Sequence, residues 1–339
     1  MSGTLEITTM IGCPLACTYC PQSLLKKNYS KNCDTFLSLE NFKIILEKVP
    51  KDTNINFCGY SEPFSNPNCL ELIKHTFNQG YNMFMHTTLQ GASLEAIEYI
   101  YDLSVNGKIS KFVLHLPDGH KNMPGFKLSE DYLYGLGKIA KLEFVDLMTM
   151  SSSGIVENEV YKYLKGLKST SILKKLPRGW RGVTRANNLK NNRVDADTLT
   201  PIIKLDHSVS CGITPFYDQN TLMPNGDVAL CCMDYGQKHI IGNLLNDSYN
   251  DLFRSENFLK LIEINRSQKY SEDSLCKSCE SAICHIVKKG KSTSKSSIEK
   301  NGRRTTRLSK LLQRYKVPFV VSDKIIDTSR WLNRLLNKQ

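Results

Sequence analysis

Residues 5–22 read LEITTMIGCPLACTYCPQ, and the order of its parts decides how the chain is understood. Residues 5–10 alternate apolar and polar side chains, the period of a half-buried strand. That strand runs without a break into a loop carrying Cys13, Cys17 and Cys20. A lone set of three thiols is one ligand short of a tetrahedral zinc site or a four-iron cluster. A strand therefore delivers an incomplete metal-binding loop at its C-terminal end. A zinc site completed from elsewhere, or ordinary buried thiols, is the plain alternative.

Outward from this stretch, strand-like and helix-like segments alternate. Ser38 is placed to cap LENFKIILEKV, where Phe42, Ile45, Leu46 and Val49 share one helical face. NINFCG (54–59) reads as the next strand, and CLELIKHTFNQG as a helix that stops at Gly80. NMFMHTT is a third strand, and Ser93 caps the amphipathic LEAIEYIYDLSVNG. KFVLHLP (111–117), FVDLMTM (144–150) and RGVTRA (181–186) complete a series of six strands. Repeated β–α units predict parallel strands with right-handed crossovers. A partial (β/α)6 TIM-like barrel follows, with its chemistry at the C-terminal strand ends. The cysteine loop, Gly59 to Pro63 and Thr87 to Gly91 all fall there.

The character changes near residue 205. Cysteines return in SCGITPFYDQNTLMPNGDVALCCMD and SLCKSCESAICH, with the helix-like SENFLKLIEIN between them. Asn225-Gly226 between two strand-like runs is a hairpin signal. The expected organisation is a barrel over 1–204, a cysteine-rich module over 205–285 and a basic, partly flexible tail over 286–339. Within the tail, DTSRWLNRLLNKQ has the pattern of a short amphipathic helix.

The chain has 339 residues, twelve cysteines and a formal charge of +12, much of the excess lying after residue 286. No apolar run reaches the roughly 18 residues a membrane span needs. No basic-then-apolar leader precedes the cysteines, so the expected compartment is the reducing cytoplasm, where many cysteines suggest metal rather than disulfides.

Cys13, Cys17, Tyr19 and Cys20 together resemble the signature of the radical S-adenosylmethionine superfamily. The resemblance implies that the three cysteines hold a 4Fe-4S cluster and that S-adenosylmethionine is the missing ligand of its unique iron. It implies reductive cleavage to a 5′-deoxyadenosyl radical that takes hydrogen from substrate, with Tyr19 near the adenine. Gly59-Tyr60-Ser61-Glu62-Pro63 resembles the Gly-Gly-Glu-Pro segment that holds the cosubstrate's ammonium group, although Tyr60 and Ser61 depart from it. An ammonium needs acceptors, which Glu62 and close backbone would offer. Thr88, in a turn like the family's Thr-Asn-Gly, His115, Ser151 and Arg185 occupy barrel positions from which polar groups would meet cosubstrate or substrate. Cys33, Cys58 and Cys69 read as ordinary thiols.

Cys211, Cys231, Cys276 and Cys279 resemble the ligand pattern of a SPASM or Twitch extension. This implies one auxiliary 4Fe-4S cluster with no open corner, carrying electrons. Cys232 and Cys284 are alternatives to their neighbours, and a ribbon-like zinc site is the plain reading. By resemblance the enzyme would need an external electron donor such as flavodoxin or ferredoxin. An oxidoreductase on a small molecule or sugar is expected, because the signature begins so early that no peptide-recognition domain precedes it. A peptide or protein maturase is the alternative. A zinc-binding basic module docking on nucleic acid is a reading of another class. Its charge clusters in the tail rather than on a patterned face with interleaved aromatics, so a nucleic-acid partner is not expected.

Overall fold

The alternation in the first half of the chain becomes five parallel strands, β1 (Thr4–Ile7), β2 (Asn54–Phe57), β3 (Met83–Thr87), β4 (Ile109–Leu116) and β5 (Val145–Thr149). The structure is a computed structural model and describes residues 3–29, 33–149, 155–176, 204–279 and 281–285. Between the strands run α1 (Gln22–Asn28), α2 (Leu39–Lys48), α3 (Cys69–Asn78), α4 (Leu94–Val105) and α5 (Glu130–Ile139), with α6 (Asn158–Gly166) and α7 (Thr170–Lys175) after β5. Ser38 and Ser93 cap α2 and α4 as expected, each side chain accepting from the backbone N–H three residues on at 3.1 Å. The sixth strand expected at 181–186 and the tail helix lie outside the described residues.

Neighbouring strands pair in parallel, for example Ile7 with Phe57 and Met85 with Phe112. The period of two gives the sheet unlike faces. One carries Leu5, Ile7, Ile55, Phe57, Met85 and Leu114, all fully buried. Phe42 of α2 meets Phe57 on this side, ring centroids 6.3 Å apart. The other face carries Glu6, Asn56, His86 and His115, a polar lining that an ordinary core would not tolerate.

The cysteine-rich module continues this sheet. Its strands are β6 (Ser208–Cys211), β7 (Gln219–Leu222), β8 (Asp227–Ala229), β9 (Ile240–Asn243) and β10 (Ala282–His285), with helices α8 (Tyr249–Leu252) and α9 (Glu256–Arg266). The eight-stranded sheet runs β5-β4-β3-β2-β1-β7-β8-β9, and β6 pairs separately with β10. β7 lies parallel to β1, Ile7 opposite Leu222. Without it β1 would present an unpaired edge. The β7–β8 hairpin turns at Asn225-Gly226 as its sequence predicts, with Gly226 at φ +85°.

All described residues belong to one compact unit, Met1–Ile286. A buried apolar cluster joins its two parts: Ile11, Leu25 and Tyr60 come from the segments around β1 and β2, and Met223, Ala229 and Tyr235 from the cysteine-rich module.

Candidate metal centres

The cysteine loop is held from several sides. Gly12 and Ala16 both take positive φ, at +90° and +48°, so the loop doubles back rather than leaving the strand end. The segment after β4 crosses it. Thr18 N–H donates to Asn122 O at 2.9 Å and Thr18 Oγ1 to Asn122 Oδ1 at 2.8 Å. Gly125 N–H donates to Leu15 O at 3.0 Å. A Cβ at Gly125 would stand 1.9 Å from Pro14 O, so only glycine admits this crossing. Inside the loop, Cys20 N–H donates to Cys17 O at 2.9 Å.

Gln22 then ties the loop to the segment after β2. Its Oε1 accepts from Cys13 N–H at 3.3 Å, while its Nε2 lies 2.6 Å from Tyr60 O and 3.4 Å from Cys20 Sγ. Glu62 N–H points at Cys13 Sγ over 3.4 Å. Burial pushes the Cys13 thiol up to about 11 and the Cys17 thiol to about 12, the latter against a hydrogen bond from the Tyr19 phenol. The neighbouring thiols raise both further. A metal that binds these thiols must displace their protons.

The Gly59–Pro63 segment lies against the end of β1. Gly59 has φ +58°, and a Cβ there would fall 2.3 Å from Thr8 Oγ1. Thr8 Oγ1 accepts from Tyr60 N–H at 3.1 Å, Ser61 Oγ from Met10 N–H at 3.4 Å, and Pro63 O from Thr9 Oγ1 at 2.9 Å. Glu62 is buried with its carboxylate fully engaged. Oε1 accepts from Thr87 Oγ1 and from Phe64 N–H at 3.4 Å. Oε2 accepts from Thr88 N–H at 2.7 Å and Thr88 Oγ1 at 2.8 Å. These donors fill about four acceptor directions, the capacity of a carboxylate. Burial pushes Glu62 up, and the hydrogen bond from Thr87 leads those that hold it down. Glu62 thus pegs the loop after β2 to the loop after β3. His115 lies on β4 with its ring centroid 6.3 Å from that of His86. Ser151 and Arg185 fall outside the described residues.

The second cysteine set also gathers. Cys276 feels the charge of Cys279 and Cys211, and Cys231 that of Cys232, Cys276 and Cys279. Backbone N–H groups of Thr214 and Ile213 point at Cys211. Cys276 sits on a tight 3-10 turn, Leu275–Ser278, that Cys279 caps, and Ser274 Oγ accepts from Cys276 N–H at 3.1 Å. His239 Nε2 accepts from Leu275 N–H at 3.1 Å, and burial depresses that imidazole to about 4, so it stays neutral and able to accept. Cys284 lies apart on β10, with Lys277 and Asp206 as its charged neighbours. Lys277, between the paired cysteines, is buried and donates to His207 O at 2.6 Å and Ser267 O at 2.7 Å.

The donor chemistry fits two iron–sulfur clusters: one set of three thiols, one of four, both supplied with N–H donors. Among the described residues, no three or more His, Cys, Asp or Glu side chains gather as they would around one metal ion. Gln22, Asn122, Gly125, Tyr235 and His239 carry no motif that announces them. The capping pattern Ser274-x-Cys276 is the one local signal in their vicinity.

Residues 211–280 match the SPASM family, an iron–sulfur cluster-binding domain. No curated protein matches the chain. Among solved structures, the chain is similar to BtrN in complex with AdoMet and 2-DOIA, at 14% identity over 83% of this chain and 93% of that one, with a TM-score of 0.48. It is similar to native anSMEcpe with bound AdoMet and Cp18Cys peptide, at 15% identity over 82% and 86%, TM-score 0.48. Streptococcus suis SuiB bound to precursor peptide SuiA follows at 14% identity over 82% and 70%, TM-score 0.43. Residues 211–280 thus carry a SPASM iron–sulfur cluster-binding domain, in a chain whose three-cysteine loop stands at the end of β1.

Proposed function

We propose that this enzyme is an oxidoreductase that removes hydrogen from a small, hydroxyl-rich substrate of the sugar kind. Cys13, Cys17 and Cys20 hold the cluster that binds S-adenosylmethionine, and Cys211, Cys231, Cys276 and Cys279 hold the auxiliary one. When bound, these clusters supply the electron that opens the sulfonium bond and a place for an electron leaving the substrate. Four thiolates close every corner of the auxiliary site, which suits it to electron transfer rather than substrate binding. An external donor of the flavodoxin or ferredoxin kind supplies the first electron.

The polar face of the sheet carries the substrate reading. Glu6 stands beside Asn56 in register, and Asn56 Oδ1 lies 2.9 Å from His86 Nδ1. Glu6 accepts from Gln219 Nε2 at 2.7 Å and Thr221 Oγ1 at 3.2 Å, which lines β7 into the same face. Alternating donors and acceptors of this kind match the hydroxyls of a sugar. His86, held beside Asn56, brings an imidazole to this face.

The test is anaerobic incubation of the reconstituted enzyme with S-adenosylmethionine, a reductant and matched panels of polyols, amino sugars and peptides. A sugar product lighter by two hydrogen atoms supports the reading. Turnover of peptides alone would replace it with the maturase.

A further inference from the structure

The radical-cluster loop meets the SPASM domain through a polar contact at the edge of a buried apolar cluster. Tyr235 Oη lies 3.2 Å from Cys20 Sγ. Tyr235 comes from the loop after β8, four residues beyond Cys231 of the auxiliary set. Its ring is set edge-on to Tyr60, with centroids 4.6 Å apart and planes at 66°. Tyr60 is itself fixed, its Oη donating to Cys231 O at 2.9 Å and Asp234 O at 3.0 Å. Both tyrosines are buried, at 1% and 2% exposure, within the apolar cluster that joins the two parts of the molecule. Tyr60 stands where the family segment has glycine, and this packing is what its side chain does there.

Once Cys20 is a metal-bound thiolate it has no proton to give, so the Tyr235 hydroxyl must be the donor. A hydrogen bond to a cluster sulfur withdraws charge from it, and such bonds help set the potential of iron–sulfur centres. The extra electron of the reduced state makes the bond worth more in that state. We propose that Tyr235 is a positioning residue by which the SPASM domain sets the redox poise of the radical cluster, raising its potential through Cys20, with Tyr60 holding the phenol in place. The low dielectric of the surrounding apolar cluster strengthens the effect. The proposal involves no electron or proton transfer of its own. It rests on the reading that both cysteine sets hold clusters.

The experiment is a potentiometric titration of the reconstituted full chain, followed by electron paramagnetic resonance, for wild type, Tyr235→Phe and Tyr60→Phe. Tyr235→Phe keeps the ring and its packing and removes only the hydroxyl. It is expected to retain both clusters and to lower the reduced-to-oxidised ratio of the radical cluster by on the order of tenfold at fixed potential. For one electron that is about 59 mV. The auxiliary potential is expected to stay unchanged, because that site loses no hydrogen bond. Tyr60→Phe frees the clamp and should shift the radical cluster in the same direction by less. That variant decides the matter should Tyr235→Phe lose iron. A radical-cluster potential unchanged in the variants, with both signals present, would overturn the proposal alone. A wild-type chain that shows only one cluster would overturn the underlying two-cluster reading, and the proposal with it.

Discussion

Gln22 Nε2 donates to Tyr60 O over 2.6 Å while the same side chain accepts from Cys13 N–H. One amide therefore joins the cysteine loop to the segment expected to hold the cosubstrate. Gln22→Leu keeps much of the volume and removes these bonds. Outer-shell partners of metal sites typically matter on the order of 10- to 100-fold. S-adenosylmethionine affinity, measured anaerobically by calorimetry, should weaken by about tenfold at the lower end of that range.

Gly125 offers a sharper handle on the same loop. A methyl group there meets Pro14 O at 1.9 Å, and the loop must move. Gly125→Ala should lose the radical cluster and keep the auxiliary one. Iron after reconstitution should fall from roughly eight to roughly four per chain, counting one iron per ligand position. Full iron content would show that the crossing segment does not shape the site.

Glu62 pegs two loops through donors at every acceptor position. In Glu62→Gln an amide N–H group must face Thr87 or Thr88, leaving buried donors opposed. The expected loss is about 1–3 kcal/mol of stability, read from urea unfolding of the full chain. Thr88→Ser, which keeps both donors to Oε2, should lose much less.

Asp234 and His239 titrate in opposition. Burial raises Asp234 from 3.8 to about 6 and lowers His239 from 6.5 to about 4. Between pH 4 and 6 the folded Asp234 binds a proton that the unfolded chain lacks, so its contribution grows on acidification. Over the same range the unfolded His239 binds a proton that the folded one lacks, so its contribution is lost on acidification. The two slopes oppose each other in the wild type. His239→Gln retains an acceptor for Leu275 N–H and removes one slope. Relative to wild type it should gain up to about 1.4 kcal/mol per pH unit on going from pH 6 to pH 4. Parallel curves for the two proteins would refute the pairing.

The ligands themselves separate two roles. Cys17→Ala should abolish cleavage of S-adenosylmethionine. Cys279→Ala should leave cleavage to 5′-deoxyadenosine and lose substrate turnover, read by chromatography of both products.

Much of this was legible in local sequence. Strand period, the serine caps of α2 and α4, the Asn225-Gly226 turn and the cysteine spacings each act over a few residues. The pairing of β7 with β1 did not show, because partners more than 200 residues apart in sequence leave no local mark in the chain. Tyr235 and Gln22 were hidden for the same reason: their partners arrive only once the sheet is assembled. Glu62 stood out in its motif, but its engagement by Thr87 and Thr88 needed the register of β2 and β3.

The most direct measurement is anaerobic reconstitution with iron and sulfide, a count of both, and addition of dithionite and S-adenosylmethionine. The account predicts roughly eight irons per chain, one per thiolate or cosubstrate ligand in two cubanes, together with 5′-deoxyadenosine. Zinc in place of iron, with S-adenosylmethionine left intact, would contradict it.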